Sequence, residues 1–337
     1  MGKITIKDVA REAGVAISTV SNALNNSDLV SEDTKARIIK IAEQMNYIPN
    51  MNGKYLKSRR TNTLGFISSS IRGQYFYVLL DALSSECEKM GYVINFIITK
   101  DKNIIMNNIL GKSFDGLFIY EGERIGQQEL DIIEQNHIST ILFDRNYNSN
   151  FISSVIFDSY KTGYDVTRYL INLGHKRIFF LEGADDVYDS NERKKGYMDA
   201  MKDYGIEFRE DYIVRGMFEE VFTYNTVIYL MKVKNIDAPD AFIAGNDLSA
   251  IGCIKALHEL GYKVPDDISV VGFDDIEIAQ YFTPTLTTIR NPIQRQGILA
   301  VDLMIKMINN GQKGISESLH GKLMPRNSSG ICSKLNI

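Results

Sequence analysis

Four polar side chains follow directly on short apolar runs that read as strands: Asp144 after Thr140–Phe143, Asp158 after Ser154–Phe157, Asn246 close behind Ala241–Ala244 and Asp274 after Ile268–Phe273. With Arg193 of the segment NERKKGY they make a set of carboxylates, an amide and a guanidinium, the groups that pair with adjacent hydroxyls of a polyol. The competing reading is that a strand-end Asp or Asn simply caps the following helix. A second set lies near the N-terminus. At helical spacing Ile17, Ser18, Ser21 and Asn22 fall opposite Val20 and Leu24, and so present small polar groups of the kind a helix offers to base edges in the major groove. Other helical segments of this chain carry Lys and Glu on their outer faces.

Signals for catalysis are weak. Gly111-Lys112-Ser113 looks like the end of a phosphate-binding loop, but Met106 stands where the first glycine of that motif belongs. GxGxxG, GxSxG and HExxH do not occur, and His137, His175, His258 and His320 are widely dispersed. His175 follows Gly174 at a helix end, where capping or a dipole contact is the expected role. Cys87, Cys253 and Cys332 are far apart and form no CxxC pair. No catalytic residue, metal or cofactor is therefore expected.

The elements that must hold these residues fall into two parts. Thr5 and Asp8 have capping-box spacing, followed by Ile6, Val9, Ala10 and Ala13 at helical intervals. Gly14-Val15 breaks that helix, Ile17–Leu24 makes a second, and Ser31 with Glu32 and Asp33 opens a third, in which Ala36, Ile39, Ile41 and Ala42 are the expected buried residues. Residues 1–60 hold ten basic and six acidic side chains, a balance of +4 against -8 for the remainder. A basic helical module on an acidic body suits contact with a polyanion by the module alone.

Beyond residue 60, strand-like runs alternate with amphipathic segments such as Phe76–Met90, Tyr160–Leu173, Asn191–Tyr204 and Leu248–Leu260. That alternation calls for parallel sheets covered by helices, and the chain is long enough to need two lobes. No apolar run approaches the ~18 residues of a membrane span, and the first residues lack the continuous apolar stretch of a secretory signal, so a cytoplasmic protein is expected.

The stretches ITIKDVAREAGVAISTVSNALN and VSEDTKARIIKIAEQMNYIPN closely resemble the DNA-binding headpiece of the LacI/GalR family of bacterial transcription regulators. LGFISSS, YLINLGHKRIFFLEG, NERKKGY, AGND, PDDISVVGFDD and TPTLTTIRNP resemble that family's periplasmic-binding-protein-like core. The resemblance implies an α/β fold: a three-helix helix-turn-helix headpiece over residues 1–48, a hinge helix and linker over 49–60, and a two-lobed core of doubly wound parallel sheets. It divides the core into 61–158 with 290–323 and 159–289 with 324–332, with crossings near Asp158, Ile289 and Met324.

For the headpiece and hinge the resemblance implies DNA contacts from Thr5, Ile17, Ser18, Thr19, Ser21, Asn22, Asn25, Ser31, Tyr47, Asn50, Lys54, Leu56 and Lys57. Leu56 takes the place of the leucine that paired hinge helices push into the minor groove. For the core it implies effector contacts from Ser69, Tyr75, Phe76, Asp144, Asp158, Arg193, Phe218, Asn246 and Asp274. The implied partners are palindromic double-stranded operator DNA, a second copy of the chain, and a small-molecule effector. A sugar or sugar phosphate is the first expectation, with a purine-like or phosphoprotein corepressor as alternatives. A solute-binding protein would share the core but not the headpiece.

The sequence departs from the family pattern at Ala16, where a serine usually caps the second helix, at Asn22, where arginine is common, at Gly53-Lys54, where Ala-Arg is usual, and at Thr223, where glycine is usual. With eight residues after Ser329 and no heptads among them, a tetramerising helix is not expected.

Overall fold

The computed structural model describes residues 4–47, 60–122, 124–185, 187–234 and 236–333. The chain divides into two units, Met1–Thr61 and Asn62–Ile337. The expected contacts from Asn50, Lys54, Leu56 and Lys57, and the hinge glycine Gly53, lie outside the described residues.

In the first unit α1 (Ile6–Ala13), α2 (Ile17–Leu24) and α3 (Glu32–Gln44) close around Val9, Ala13, Val20, Ala23, Ile38 and Ala42. Asp8 accepts both the Thr5 backbone N–H, at 2.9 Å, and the Thr5 hydroxyl, at 2.7 Å, which fastens the start of α1. Gly14, at φ 64°, ends α1 in the left-handed conformation, and the Val15 N–H returns to the Ala10 carbonyl. The buried face of α3 matches the expected one at Ala42 and differs elsewhere. It is Lys35, Ile38 and Ala42, whereas Ala36 and Ile39 are exposed and Ile41 is half-buried. Steps of three and four residues keep one helix face inward, and the Lys35 stem serves as apolar surface while its ammonium reaches Glu32 at 2.6 Å.

The second unit contains two six-stranded sheets. The first joins β1 (Thr63–Ser68), β2 (Val93–Ile98), β3 (Gly116–Tyr120), β4 (Thr140–Leu142), β5 (Ile152–Phe157) and β11 (Ser316–Leu319) in the order β11-β5-β4-β3-β1-β2, parallel throughout. Leu64, Phe66 and Phe118 pack toward α4 (Gln74–Lys89) and α11 (Ile293–Asn310), while Ile67, Leu117 and Ile119 pack toward α5 (Lys102–Leu110) and α6 (Gln127–Gln135). Covering both faces is why the inner strands β1, β3 and β4 read as continuous apolar runs instead of alternating ones.

The second sheet joins β6 (Ile178–Glu182), β7 (Ile213–Arg215), β8 (Ala241–Ala244), β9 (Ser269–Phe273), β10 (Thr287–Arg290) and β12 (Lys322–Met324) in the order β12-β10-β9-β8-β6-β7, with β12 antiparallel to β10. One face packs on α7 (Ser159–Asn172) and α8 (Tyr188–Asp203), the other on α9 (Glu220–Ile228) and α10 (Asp247–Glu259). The chain passes between sheets after Phe157, after Arg290 and after Leu319. The third passage comes ahead of the expected Met324, because Lys322–Met324 already pairs with β10.

Each sheet has a point where strand order reverses, β1 beside β3 in one and β6 beside β8 in the other. Loops leaving neighbouring strands there diverge to opposite faces and open a crevice at their carboxyl ends.

Candidate functional site

A cavity of about 740 Å³ lies at those carboxyl ends, lined from the first lobe by Ser70, Tyr75 and Tyr120 and from the second by Asp189, Arg193, Phe218, Asn246 and Asp274, among others. A smaller space of about 110 Å³ adjoins it, lined by Ser69, Glu121 and Asp144, and shares Tyr120, Val187 and Asp189 with the main cavity.

Arg193 is held by close helix packing. A Cβ on Gly163 of α7 would lie 2.2 Å from the Arg193 carbonyl oxygen, and one on Gly196 of α8 would lie 2.1 Å from the Tyr160 carbonyl oxygen, so only glycine permits this approach. The Arg193 side chain, 4% exposed, donates from Nη1 to the Gly245 carbonyl at 2.5 Å and lies over the Phe273 ring at 4.4 Å. Its Nη2 is 3.9 Å from Asp274 Oδ1, which also accepts from Asn291 Nδ2 at 3.3 Å. Asp274 and Asp275 sit at φ 107° and 52°, and the loop is pinned by Asp247, whose carboxylate accepts the Ile276 N–H at 2.9 Å and the Thr288 hydroxyl at 2.6 Å. Backbone in that region costs about 1–3 kcal/mol per residue and persists only where neighbours enforce it.

Phe218, at φ 60°, fits its ring where Gly183 and Gly245 leave space, since a Cβ on either would come within 2.8 Å of it. Asn246 does two things: Oδ1 accepts the Ser249 N–H at 2.9 Å to cap α10, and Nδ2 donates to the Phe218 carbonyl at 3.1 Å. Capping and a place in the cavity wall are here compatible.

Other expected effector residues are placed differently. Phe76 is buried in the first lobe's core, edge-on to Tyr120, and does not line the cavity; its neighbour Tyr75 does, with its hydroxyl donating to Gln296 at 3.1 Å. Successive helical residues point about 100° apart, so one of an aromatic pair faces the core and the other the cleft. Asp158 caps α7, accepting the Lys161 N–H at 3.0 Å, and its other oxygen is 3.2 Å from His320 Nδ1; it lines neither cavity. Asp144 and Ser69 border only the smaller space. Asp144 is buried, accepting the Glu121 N–H at 2.9 Å and pairing with Arg145, so it does not act as a helix cap. His175 bonds the Gly330 carbonyl at 2.9 Å and ties down the C-terminal segment.

Asp189, Asp247 and Glu121 were not among the expected residues. Asp189 accepts the Ser159 hydroxyl at 2.6 Å, and enclosure in the cleft raises its carboxyl above the ordinary value, with Arg193 pulling the other way. Asp274 is raised by burial in the same manner, and Asp247 strongly so by burial and by the Asp274 charge. Tyr75 and Tyr120 are pushed upward by burial and remain neutral hydroxyls. The four-residue interval from Asp189 to Arg193 puts both on one face of α8 and was the available sequence signal.

In the first unit α2 leaves Ile17 and Ser18 exposed and Thr19, Ser21 and Asn22 partly so, a surface without charged side chains. Ala16 opens α2 with no side-chain hydrogen bond to cap it. Asn25 donates to the Ser21 carbonyl at 2.8 Å, Ser31 donates to the Thr34 hydroxyl at 2.9 Å, and Thr5 is bonded to Asp8. Tyr47 packs against the headpiece core.

Residues 5–50 match the family described as bacterial regulatory proteins, lacI family, and residues 167–329 match the periplasmic binding protein-like domain. The HTH-type transcriptional repressor PurR of Serratia proteamaculans (strain 568) is 33% identical over 334 residues, covering 96% of each chain. A sugar-binding transcriptional regulator of the LacI family from Escherichia coli, solved with phosphate, is 31% identical with a TM-score of 0.71, over 81% of this chain and 99% of that one. The lac repressor dimer bound to operator and the anti-inducer ONPF has a TM-score of 0.84 at 24% identity, over 98% of this chain and all of that one, a likeness of fold. With the helix-turn-helix headpiece and the paired α/β lobes in place, these matches show that the chain belongs to the LacI family of bacterial regulatory proteins, as a DNA-binding transcriptional repressor with a periplasmic-binding-protein-like effector domain and not an enzyme.

Proposed function

We propose that the protein is a homodimeric repressor of a carbohydrate-metabolism operon, working beside the chromosome in the cytoplasm, whose hold on a palindromic operator is controlled by a sugar-class effector in the cleft. The observation that carries this reading is the cavity of about 740 Å³ at both strand-order reversals, where Arg193, Asp274, Asp189 and Asn246 meet the rings of Tyr75 and Phe218. Polar groups that pair with hydroxyls, set among aromatic rings that stack on C–H faces, suit a sugar. Its relative from Escherichia coli, described as sugar-binding, agrees with this.

Reading of the operator falls to α2, with Ile17, Ser18, Ser21 and Asn22 toward base edges and Thr19 and Asn25 beside them; Thr5, Ser31 and Tyr47 contact the backbone, and Asn50, Lys54, Leu56 and Lys57 complete the contact from the hinge. Dimerisation is supported by exposed apolar side chains on both lobes, Val93 and Phe96 on the edge strand β2 and Phe222 and Tyr281 on the second lobe, and by the dimeric lac repressor of like fold. The test is to select the operator from a randomised duplex library with the full chain and then titrate sugars against the bound complex. A two-fold symmetric site whose occupancy changes with one sugar supports the reading; a site indifferent to every metabolite refutes it.

A further inference from the structure

The two lobes are joined by three passages of chain, after Phe157, after Arg290 and after Leu319. Any turn of one lobe against the other has to be absorbed there. The first and third passages are tied to each other: the Asp158 N–H donates to the Leu319 carbonyl at 2.9 Å, and the Asp158 carboxylate is 3.2 Å from His320 Nδ1. The second passage is tied to the cleft. Its Asn291, between β10 and α11, is 6% exposed and lines neither cavity, yet its Nδ2 donates to Oδ1 of Asp274, which does line the main one. At 3.3 Å this bond is long for a carboxylate acceptor. The other end of the amide, Oδ1, is buried and has no hydrogen-bond partner among the described residues, a costly condition for an acceptor. It lies close to the third passage, since a Cβ on Gly321 would be 2.7 Å from it.

We infer that Asn291 is the positioning residue through which occupancy of the cleft reaches the junction between the lobes. The inference rests on the effector reading of the cleft and adds how binding is passed on from it. An effector hydroxyl that donates to Asp274 takes over the oxygen held by Asn291 Nδ2. The released amide is then free to turn toward the donor that its Oδ1 lacks, and in turning it shifts the second passage against Gly321 and the third. The orphaned acceptor supplies the bias, because an arrangement of the lobes that satisfies it is favoured once the other end of the amide is released. Asn291 touches the cavity's carboxylate without lining the cavity, so its loss should separate binding from response.

The experiment is a paired measurement on the full-length chain, wild type and Asn291→Ala, with glucose, galactose, ribose and the terminal phosphate of each as probes. Calorimetry gives the affinity of a probe that binds, and the anisotropy of a labelled, library-selected operator gives the shift that a saturating amount of it causes. Wild type is expected to shift operator affinity by at least about fivefold. In Asn291→Ala the shift is expected to fall below about twofold, with probe affinity unchanged or up to about threefold tighter, because no amide competes for Asp274. A residue that only props up the fold would weaken probe binding together with the shift. If Asn291→Ala fails to fold, Asn291→Ser, which keeps a hydroxyl but no amide, takes its place. A variant that keeps the wild-type shift, or that loses shift and probe affinity together, overturns the inference and leaves the cleft reading intact. Wild type that binds none of the probes, or binds one without any shift in operator affinity, overturns the cleft reading and this inference with it.

Discussion

The headpiece and the cleft solve recognition in opposite ways. The headpiece presents residues that are neighbours in sequence, Ile17 to Asn22 on one face of an eight-residue helix, above a core of small side chains. The cleft gathers Tyr75, Tyr120, Asp189, Arg193, Asn246 and Asp274 from across 200 positions, each delivered by the end of a strand or the start of a helix. The headpiece surface is therefore a property of one helix and tolerates change residue by residue. The cleft is a property of packing, and its side chains are bonded to one another and to the backbone. The difference teaches that substitutions should be locally confined in α2 and should spread in the cleft.

The sharpest way to break this contrast is Arg193→Ala. It removes the hydrogen bond to Gly245 and the cation beside Asp274 and Asp189 together. Effector affinity is expected to fall by about one to two orders of magnitude, since a hydrogen bond from a charged group is worth about 1.5–3 kcal/mol. Calorimetry measures the loss, and operator binding without ligand, proposed above to come from the headpiece and hinge, is expected to persist. An unchanged effector affinity would take Arg193 out of the site.

Next comes Gly196→Ala, far from the ligand but on the α7–α8 contact. Its methyl would meet the Tyr160 carbonyl, and thermal unfolding should show a loss of about 1–3 kcal/mol in the second unit with a weaker effector response. A variant as stable as the parent would mean the two helices part without cost.

In the headpiece, Asn22→Arg is expected to change the half-site preference from A·T to G·C at one position, by about 1–3 kcal/mol, without altering effector affinity. Selection from the same duplex library reads this directly. If both proteins choose one sequence, residue 22 does not read bases.

Acidification should separate the two regions as well. Asp8 is held below its ordinary value of 3.8, first by the Thr5 hydroxyl, so its stabilising contribution is present above that value and is lost as pH falls through its folded pKa. Asp189 is raised above 3.8, so the unfolded chain gives up this proton first and stability falls as pH rises from 3.8 through the folded value. Asp189→Asn should therefore gain stability relative to the parent as pH rises through that window, and the difference should level off below it. A pH-independent difference would mean that Asp189 does not titrate with the fold.

The smallest expected effect is that of Ala16→Ser, which supplies the missing cap of α2 and should stabilise the headpiece by about 1 kcal/mol. Denaturant titration followed by a headpiece probe checks it.

What was legible in the sequence follows the same division. The helix-turn-helix showed because its spacing, its left-handed Gly14 and its polar face all lie within one short stretch. The alternating strands and helices showed because strands buried on both faces are continuously apolar. Arg193, Asn246 and Asp274 were found at strand ends and in a motif, yet the same rule also picked Asp158, whose carboxylate caps α7. Strand-end position alone does not say whether a carboxylate turns to its own helix or to the crevice. Tyr75 and Phe76 were both expected in the cleft, and only Tyr75 lines it, because sequence does not set the rotation of α4 against its sheet. Asp189 was signalled only by its four-residue interval to Arg193, and Glu121 by no local pattern, because its place comes from a wall that residues of both lobes build together.

The proposed control of the headpiece's grip on DNA by the cleft can be measured directly. The most direct measurement is the fluorescence anisotropy of a labelled, library-selected operator titrated with the full chain, with and without a sugar shown by calorimetry to bind. The sugar is expected to shift operator affinity in wild type by at least about fivefold, the lower end of ordinary allosteric coupling, and to have no effect in Arg193→Ala. An identical operator affinity with the cleft saturated and empty would contradict it.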